Sequence, residues 1–275
     1  MVKAVKAAER AARSSVWLEG KARRGGRGGG QPSGLDRDRI TAVTVRLLDA
    51  EGLDRFSMRR LATELNVTAM SVYWYVDTKD DLLELALDAA FGELRLPDPD
   101  ATGAADVADF ADAADAADVA VAVDWRDQLR TLATEYRVLL VRHPWLSPLA
   151  GRYLNIGPNS LAFSRFVQRV VRRTGLPAHG VTGAISAVFQ FVYGYGTIEG
   201  HFFARVADAG VTPDDYFQQA MSAVTESPDT AEVIQESKDI MAARGGDTVA
   251  EMLDRDFTFA LDLLVAGIEA MVKRG

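Results

Sequence analysis

Apolar residues recur at helical spacing through most of the chain, and the sharpest local pattern lies at residues 57–79, SMRRLATELNVTAMSVYWYVDTK. Met58, Leu61, Ala62 and Leu65 share one face of a helix. Ser57 stands where an N-cap is wanted, and Asn66 follows Leu65 as a residue that tolerates the left-handed conformation ending a helix. Thr68 opens a second helix, with Val72 and Val76 four apart as its inward stripe. Two helices separated by about three residues form the helix-turn-helix pattern, whose second member enters the major groove of DNA. Tyr73, Trp74 and Tyr75 follow one another on that second helix. Successive helical positions are rotated by about 100°, so at least one of these rings must face outward. There it could lie on a sugar-phosphate backbone and donate a hydrogen bond. The alternative is that Trp74 or Tyr75 packs the domain together.

The flanking pattern is helical too. Asp36–Glu51 is amphipathic, with Ile40, Val43, Leu47 and Leu48 inward and Gly52 past its end. Thr78 and Lys79 lead into a helix predicted over Asp80–Leu94, with acids in its first turn where the dipole favours them. It would link a three-helix head to a body. Helices are predicted at Trp125–Val141 (ended by Pro144 and Pro148), Ser160–Thr174, Val181–Ala204 and Ala250–Val272. The last two are apolar on more than one face, which calls for a second covering surface, and a two-fold dimer pairing two helices from each subunit as a four-helix bundle would supply it. Gly194, Gly196, Gly200 and Gly267 would allow close helix approach. The polar stretch Glu226–Thr248 reads as a loop with a short helical piece. No strand pattern survives, so the fold class is all-α.

Charge divides the chain further. The net charge of −8 over 275 residues argues against a nucleic-acid partner when taken alone. Yet residues 1–34 hold eight Lys/Arg against two Glu, whereas residues 96–124 hold eight Asp and no base. The total conceals a basic arm and an acidic insert, and DNA binding needs local positive potential, not a positive total. Val2–Leu18 has a helix-forming composition, while the Gly-rich stretch that follows is a flexible linker. That linker is either a solvated tail or an arm placing Arg23, Arg24 or Arg27 in a minor groove. The Ala/Asp-rich insert is low in complexity and reads as mobile. Four segments result: a basic arm (1–34), a DNA-binding head (35–95), the insert (96–124) and a ligand-binding, dimerising body (125–275).

The chain has no Cys, so disulfide and thiol chemistry are excluded. No apolar run reaches the roughly 18 residues needed to span a bilayer, and no secretory signal is visible, so a cytoplasmic protein without a membrane partner is expected. His143, His179 and His201 lie in separate contexts and read as structural, with His143 at a helix end. No metal-ligand spacing, nucleotide loop or nucleophile–base pair occurs. No enzyme activity and no cofactor are expected.

The run SMRRLATELNV, the helix carrying SVYWYV and the KDDLL start of the next helix resemble the DNA-binding domain of the tetracycline repressor (TetR) family over about Leu35–Phe91. Less sharply, residue 125 onward resembles the tetracycline-repressor-like ligand-binding domain, as in HPWL at 143–146 and GPN at 157–159. Some relatives from antibiotic producers carry N-terminal extensions. By position, the resemblance implies that Arg59 reaches a guanine edge and that Thr68, Ala69, Met70 and Ser71 face bases. It implies phosphate contacts from Tyr73, Trp74 and Lys79. The recognition helix carries no Gln, Asn or Arg to read a base bidentately, so nothing beyond an inverted-repeat operator is implied. Plausible pocket residues are Tyr136, Phe163, Phe166, Phe189, Tyr193 and Glu199. The function implied is a homodimeric repressor of an efflux or antibiotic-related gene, released from double-stranded DNA by a polycyclic or amphipathic inducer. Metal-dependent tetracycline binding does not follow, because the metal-coordinating histidine finds no match. The alternatives are a DNA-binding regulator without a small-molecule inducer, or a helical enzyme or carrier.

Overall fold

Side-chain caps open several of the helices in the computed structural model, which describes residues 15–18, 35–96 and 124–274. The Asp36 carboxylate accepts from Arg39 N at 2.7 Å and opens α1 (Arg37–Arg55). Gly52 (φ 76°) breaks helical geometry inside it, where the sequence places the end, and a further turn reaches Arg55. α2 (Met58–Glu64) and α3 (Ala69–Tyr73) follow, then α4 (Lys79–Phe91), capped by Thr78, whose side chain accepts from Asp81 N at 3.0 Å. Beyond the insert come α5 (Trp125–Arg142), α6 (Leu146–Ala150), α7 (Pro158–Arg172) and α8 (Ala178–Asp208). The described chain closes with α9 (Pro213–Glu226), α10 (Pro228–Glu236), α11 (Lys238–Arg244) and α12 (Val249–Arg274). All elements among the described residues are helices, as the periodicity requires.

The chain divides into two compact units, residues 1–96 with 142–166, and residues 97–141 with 167–275. The first includes a piece that the sequence places in the body, and three polar anchors explain why. His143 Nδ1 lies 2.6 Å from Asp49 Oδ1 and its Nε2 lies 3.1 Å from Glu93 Oε2. Trp145 Nε1 donates to the same Asp49 oxygen at 2.6 Å. Asp88 on α4 accepts from the backbone of Asn159 (3.3 Å) and Ser160 (2.8 Å), supplying the carboxylate that the start of α7 needs. A Cβ on Gly157 would lie 2.2 Å from Asp88 Oδ1, so the approach requires glycine. Around these anchors Ile40, Leu48, Leu61, Val72, Leu82, Ala86, Leu146 and Leu149 form the unit's core.

In the second unit α5, α8 and α12 bury Leu129, Leu132, Val188, Val192, Phe257 and Val265. Two of the four expected glycines serve close approach: a Cβ on Gly200 would lie 2.8 Å from Leu140 O, and one on Gly196 3.0 Å from the Leu140 side chain. Gly194 and Gly267 face open space within the protomer. Residues 226–248 are not a loop with one helical piece; they hold α10 and α11. Pro228 at the first helical position and Gly245 (φ 67°) set their ends. Because α11 buries no side chain, periodicity left little trace of it. Ile198 on α8 and Phe259, Leu263 and Met271 on α12 are exposed, as expected of helices awaiting a second surface.

Candidate functional site

Local hydrogen bonds hold the α2–turn–α3 motif. Ser57 Oγ accepts from Arg60 N (3.2 Å), and Asn66 adopts φ 54° so that Val67 N can reach Ala62 O at 2.9 Å. Thr68 Oγ1 accepts from Ser71 N at 3.3 Å and is 3.0 Å from Ser71 Oγ, joining two expected base-facing side chains. Val72 and Val76 are buried as their spacing requires.

The aromatic run divides. Tyr75 is buried and its hydroxyl donates to Leu35 O at 2.7 Å, whereas Tyr73 and Trp74 are 43% and 76% exposed. Met70, 69% exposed, joins them on the outer side with Thr68 and Arg59, while Ala69 and Ser71 are half-buried. Neighbouring arginines play opposite parts. Arg60 is held between Glu51 (2.7 Å) and Glu64 (2.9 Å), while Arg59 makes no ion pair among the described residues. Lys79 Nζ donates to Phe56 O at 2.8 Å and lies 5.3 Å from the centroid of that ring, which orients the ammonium while leaving it two further donors.

The predicted arm is packed in part. Residues 15–18 form a turn, not the end of a helix, closed by Leu18 N donating to Ser15 O at 3.1 Å. Ser15 Oγ donates to Glu84 Oε2 at 2.6 Å, Val16 N to the same atom at 3.2 Å, and Val16 is buried. Burial pushes the Glu84 carboxyl above its ordinary range despite these donors. No pattern in 15–18 signalled this docking. Arg23, Arg24, Arg27 and the acidic insert lie outside the described residues.

The six expected pocket residues do not form one group. Phe163 packs on Phe91 (5.8 Å between centroids) and Phe166 is buried, both in the first unit. In the second unit Tyr136 lies 6.2 Å from Phe189, and burial, then Tyr193, pushes its hydroxyl pKa upward. Of the six, Glu199 alone lines a cavity of about 380 Å³ that opens to the surface between α8, α9, α11 and α12. Its carboxylate accepts from Arg137 Nε (2.6 Å) and Nη2 (2.8 Å), and both side chains are buried. The Arg137 guanidinium also lies 4.5 Å from the Phe257 ring centroid and bonds Asp254 at 2.9 Å. Sequence reasoning missed Arg137 and the cavity-lining Tyr195. The one available signal was the four-residue spacing of Tyr195 and Glu199.

Comparisons with known proteins agree with this architecture. Residues 121–272 match the family description "Tetracyclin repressor-like, C-terminal domain", and residues 40–86 match "Bacterial regulatory proteins, tetR family". An HTH-type transcriptional regulator of Saccharopolyspora erythraea is 39% identical over 160 residues, 58% of this chain and 59% of that protein, so the match spans less than two thirds of the relative's length. The HTH-type transcriptional repressor DrrR1 of Streptomyces coeruleorubidus is 29% identical over 239 residues, covering 86% of this chain and 78% of the relative. Among solved structures, ActR of Streptomyces coelicolor in complex with actinorhodin shares the fold with a TM-score of 0.62 at 24% identity, over 87% of this chain and 97% of that one. These relatives are regulators rather than enzymes, and among the described residues no helix is long and apolar enough to cross a membrane. With the C-terminal match alone spanning more than half of its length, the chain belongs to the TetR family of bacterial transcriptional regulators.

Proposed function

We propose that the protein is a homodimeric transcriptional repressor that binds an inverted-repeat operator and is released by a small hydrophobic molecule. The observation that carries the DNA side is the set of outward residues on a rigidly capped motif. Arg59, Met70, Tyr73 and Trp74 are all exposed while their helices are anchored by buried Val72, Tyr75 and Leu61. Contiguous exposed patches of large apolar and aromatic groups mark interaction surfaces. Here they alternate with donors suited to phosphate and base edges. Arg59 supplies the guanine-reading side chain. Thr68, Ala69, Met70 and Ser71 supply methyl and hydroxyl contacts, and Tyr73, Trp74 and Lys79 hold the backbone. The exposed apolar faces of α8 and α12 support a two-fold dimer.

The ligand side is carried by the second unit, which holds Tyr136, Phe189, Tyr193 and Glu199. A ligand favouring a dimer geometry unsuited to DNA shifts the population off the operator. The repressor name of DrrR1 and the actinorhodin-bound ActR structure support this reading by similarity.

The deciding experiment selects bound fragments of genomic DNA with purified protein and footprints them. A palindromic site beside an efflux or biosynthetic operon is expected, and its neighbour nominates the inducer. Absence of any specific site at moderate salt overturns the proposal. Deleting residues 1–34 tests the arm: operator affinity falls by about 1–3 kcal/mol and the salt dependence flattens if its arginines touch phosphates. Unchanged affinity and slope leave it outside the interface.

A further inference from the structure

Three buried carboxylates mark one face of α4. Asp81, Glu84 and Asp88 stand on successive turns of the helix, and each is covered from a different part of the first unit. Asp88 faces the start of α7, and Asp81 lies beside Arg37 of α1. Glu84, between them, lies under the Ser15–Leu18 turn, where Ser15 Oγ and Val16 N both donate to its Oε2. Donors of this kind offset the desolvation of a buried carboxylate, so Glu84 gives the turn a defined seat.

From that seat the turn reaches to both sides. Val16 is 1% exposed and shares a cavity of about 30 Å³ with Trp74, Tyr75, Val76 and Asp77, the stretch that leaves the recognition helix α3. Trp17 meets the 153–160 segment across a gap of about 10 Å³ lined by Leu87, Tyr153, Asn155 and Ser160. Support on the α3 side is needed because α3 spans only Ala69–Tyr73. A helix so short does not hold in water alone and takes its orientation from tertiary packing. Its C-terminal end is held by buried Val72 and Val76, by Tyr75 OH on Leu35 O, and by Val16. Exposed Tyr73 and Trp74 stand on that same end.

We infer that the Ser15–Leu18 turn is a positioning element of the DNA-binding motif: seated on Glu84, it braces the end of α3 and so fixes Tyr73 and Trp74 for the operator without touching DNA itself. This role differs from that of a basic arm. Residues 15–18 carry no charge, so the brace governs how the specific surface is held and not how many phosphates are neutralised. Its bearing on the operator rests on the DNA-binding reading above, but the brace itself can be tested without DNA.

Ser15→Ala combined with Val16→Ala removes the hydroxyl donor and most of the buried side chain while leaving every charge in place. Circular dichroism confirms that the helices remain. In the full-length variant, amide hydrogen exchange read by mass spectrometry should accelerate over residues 69–77 by about tenfold or more beyond any change in α1. Acceleration no greater there than in α1 reports a general loss of stability and overturns the brace. On fragments recovered in the genomic selection, operator affinity should fall by about tenfold or more, while binding to a random duplex and the salt slope stay as in the wild type. A flatter slope places the effect in phosphate contacts and overturns positioning, as does unchanged operator affinity. Glu84→Gln keeps an acceptor oxygen under the turn and should retain operator binding, whereas Glu84→Leu leaves both donors unpaired and should lose it as the double variant does. Equal losses from the two overturn the seat on Glu84. Absence of any specific fragment for the wild type overturns the DNA-binding reading, and the positioning role with it, whatever the exchange shows.

Discussion

The surface proposed to meet DNA draws its residues from positions 59–79 of the first unit, whereas the cavity of the second unit is lined by residues spread over 195–256, from four helices. The first is a surface whose working side chains are exposed and whose supports are local caps. The second is a cavity whose carboxylate, Glu199, is buried and whose support, Arg137, comes from 62 residues away. The difference separates function from stability. Exposed side chains of the motif can be removed without disturbing what lies beneath them, while a buried ion pair is part of the core it sits in.

The largest effect follows from that contrast. Arg137→Ala leaves Glu199 charged, buried and without its bidentate partner. Breaking a buried pair by removing one member destabilises by about 3–5 kcal/mol, and urea unfolding of the full chain should show a loss of that size. Replacing both members, Arg137→Met with Glu199→Leu, should recover most of it, because the desolvation penalty then disappears with the charge. A loss below about 1 kcal/mol for Arg137→Ala would mean that water reaches Glu199, and the contrast between the two regions would collapse.

Arg59→Ala should behave in the opposite way. Operator affinity falls by about 1–3 kcal/mol at fixed salt, the usual size of a base-edge contact, while unfolding changes by no more than about 0.5 kcal/mol. Polarisation and denaturation on one preparation give both numbers. Equal losses in the two assays would place Arg59 in the fold rather than the interface. Trp74→Ala sharpens the same point, since an exposed ring of that size contributes little to an unbound domain.

Legibility in the sequence follows the same division. Spacing and cap residues at 57–79 encode the motif because the hydrogen-bond partners of Ser57 and Thr68 lie three positions away. The aromatic run resolved as sterics require, but which ring turned inward depended on Leu35 O, forty residues distant. Apart from Glu199, the expected pocket residues are aromatic, and aromatic rings are as much core as site: Phe163 lies against Phe91. What recruits 142–166 to the first unit is a set of ion and hydrogen-bond partners at Asp49, Asp88 and Glu93, none of which has a periodicity to betray it. The docking of Ser15 on Glu84 is hidden for the same reason. Ser15→Ala removes one buried hydrogen bond to a charged group, so a loss of about 1.5–3 kcal/mol bounds its effect. If neither stability nor operator affinity changes, the turn at 15–18 is not an anchor for the arm.

The smallest effect concerns pH and falls on the first unit's own buried charge. Burial alone would lower the His143 pKa, but its contacts with Asp49 and Glu93 outweigh that and hold the imidazole above its ordinary value. Glu93 is likewise opposed by burial, yet His143 and Arg142 hold its carboxyl below the ordinary range. The signs differ. A histidine whose folded pKa is raised contributes fully below its unfolded value of about 6.5, and the contribution is lost as pH climbs through the folded value. A depressed carboxylate contributes above its unfolded value of about 4.3 and is lost as pH falls through the lower folded one. Both terms act together between those two limits. The stability difference between the wild type and His143→Gln should therefore be largest near pH 5–6 and shrink toward pH 9, read by urea unfolding across that range. A difference that grows with pH would mean that His143 is neutral in the folded protein, donating to only one of the two carboxylates. The first unit would then be held by packing around Trp145 rather than by charge, and the contrast with the ion-paired interior of the second would be sharper still.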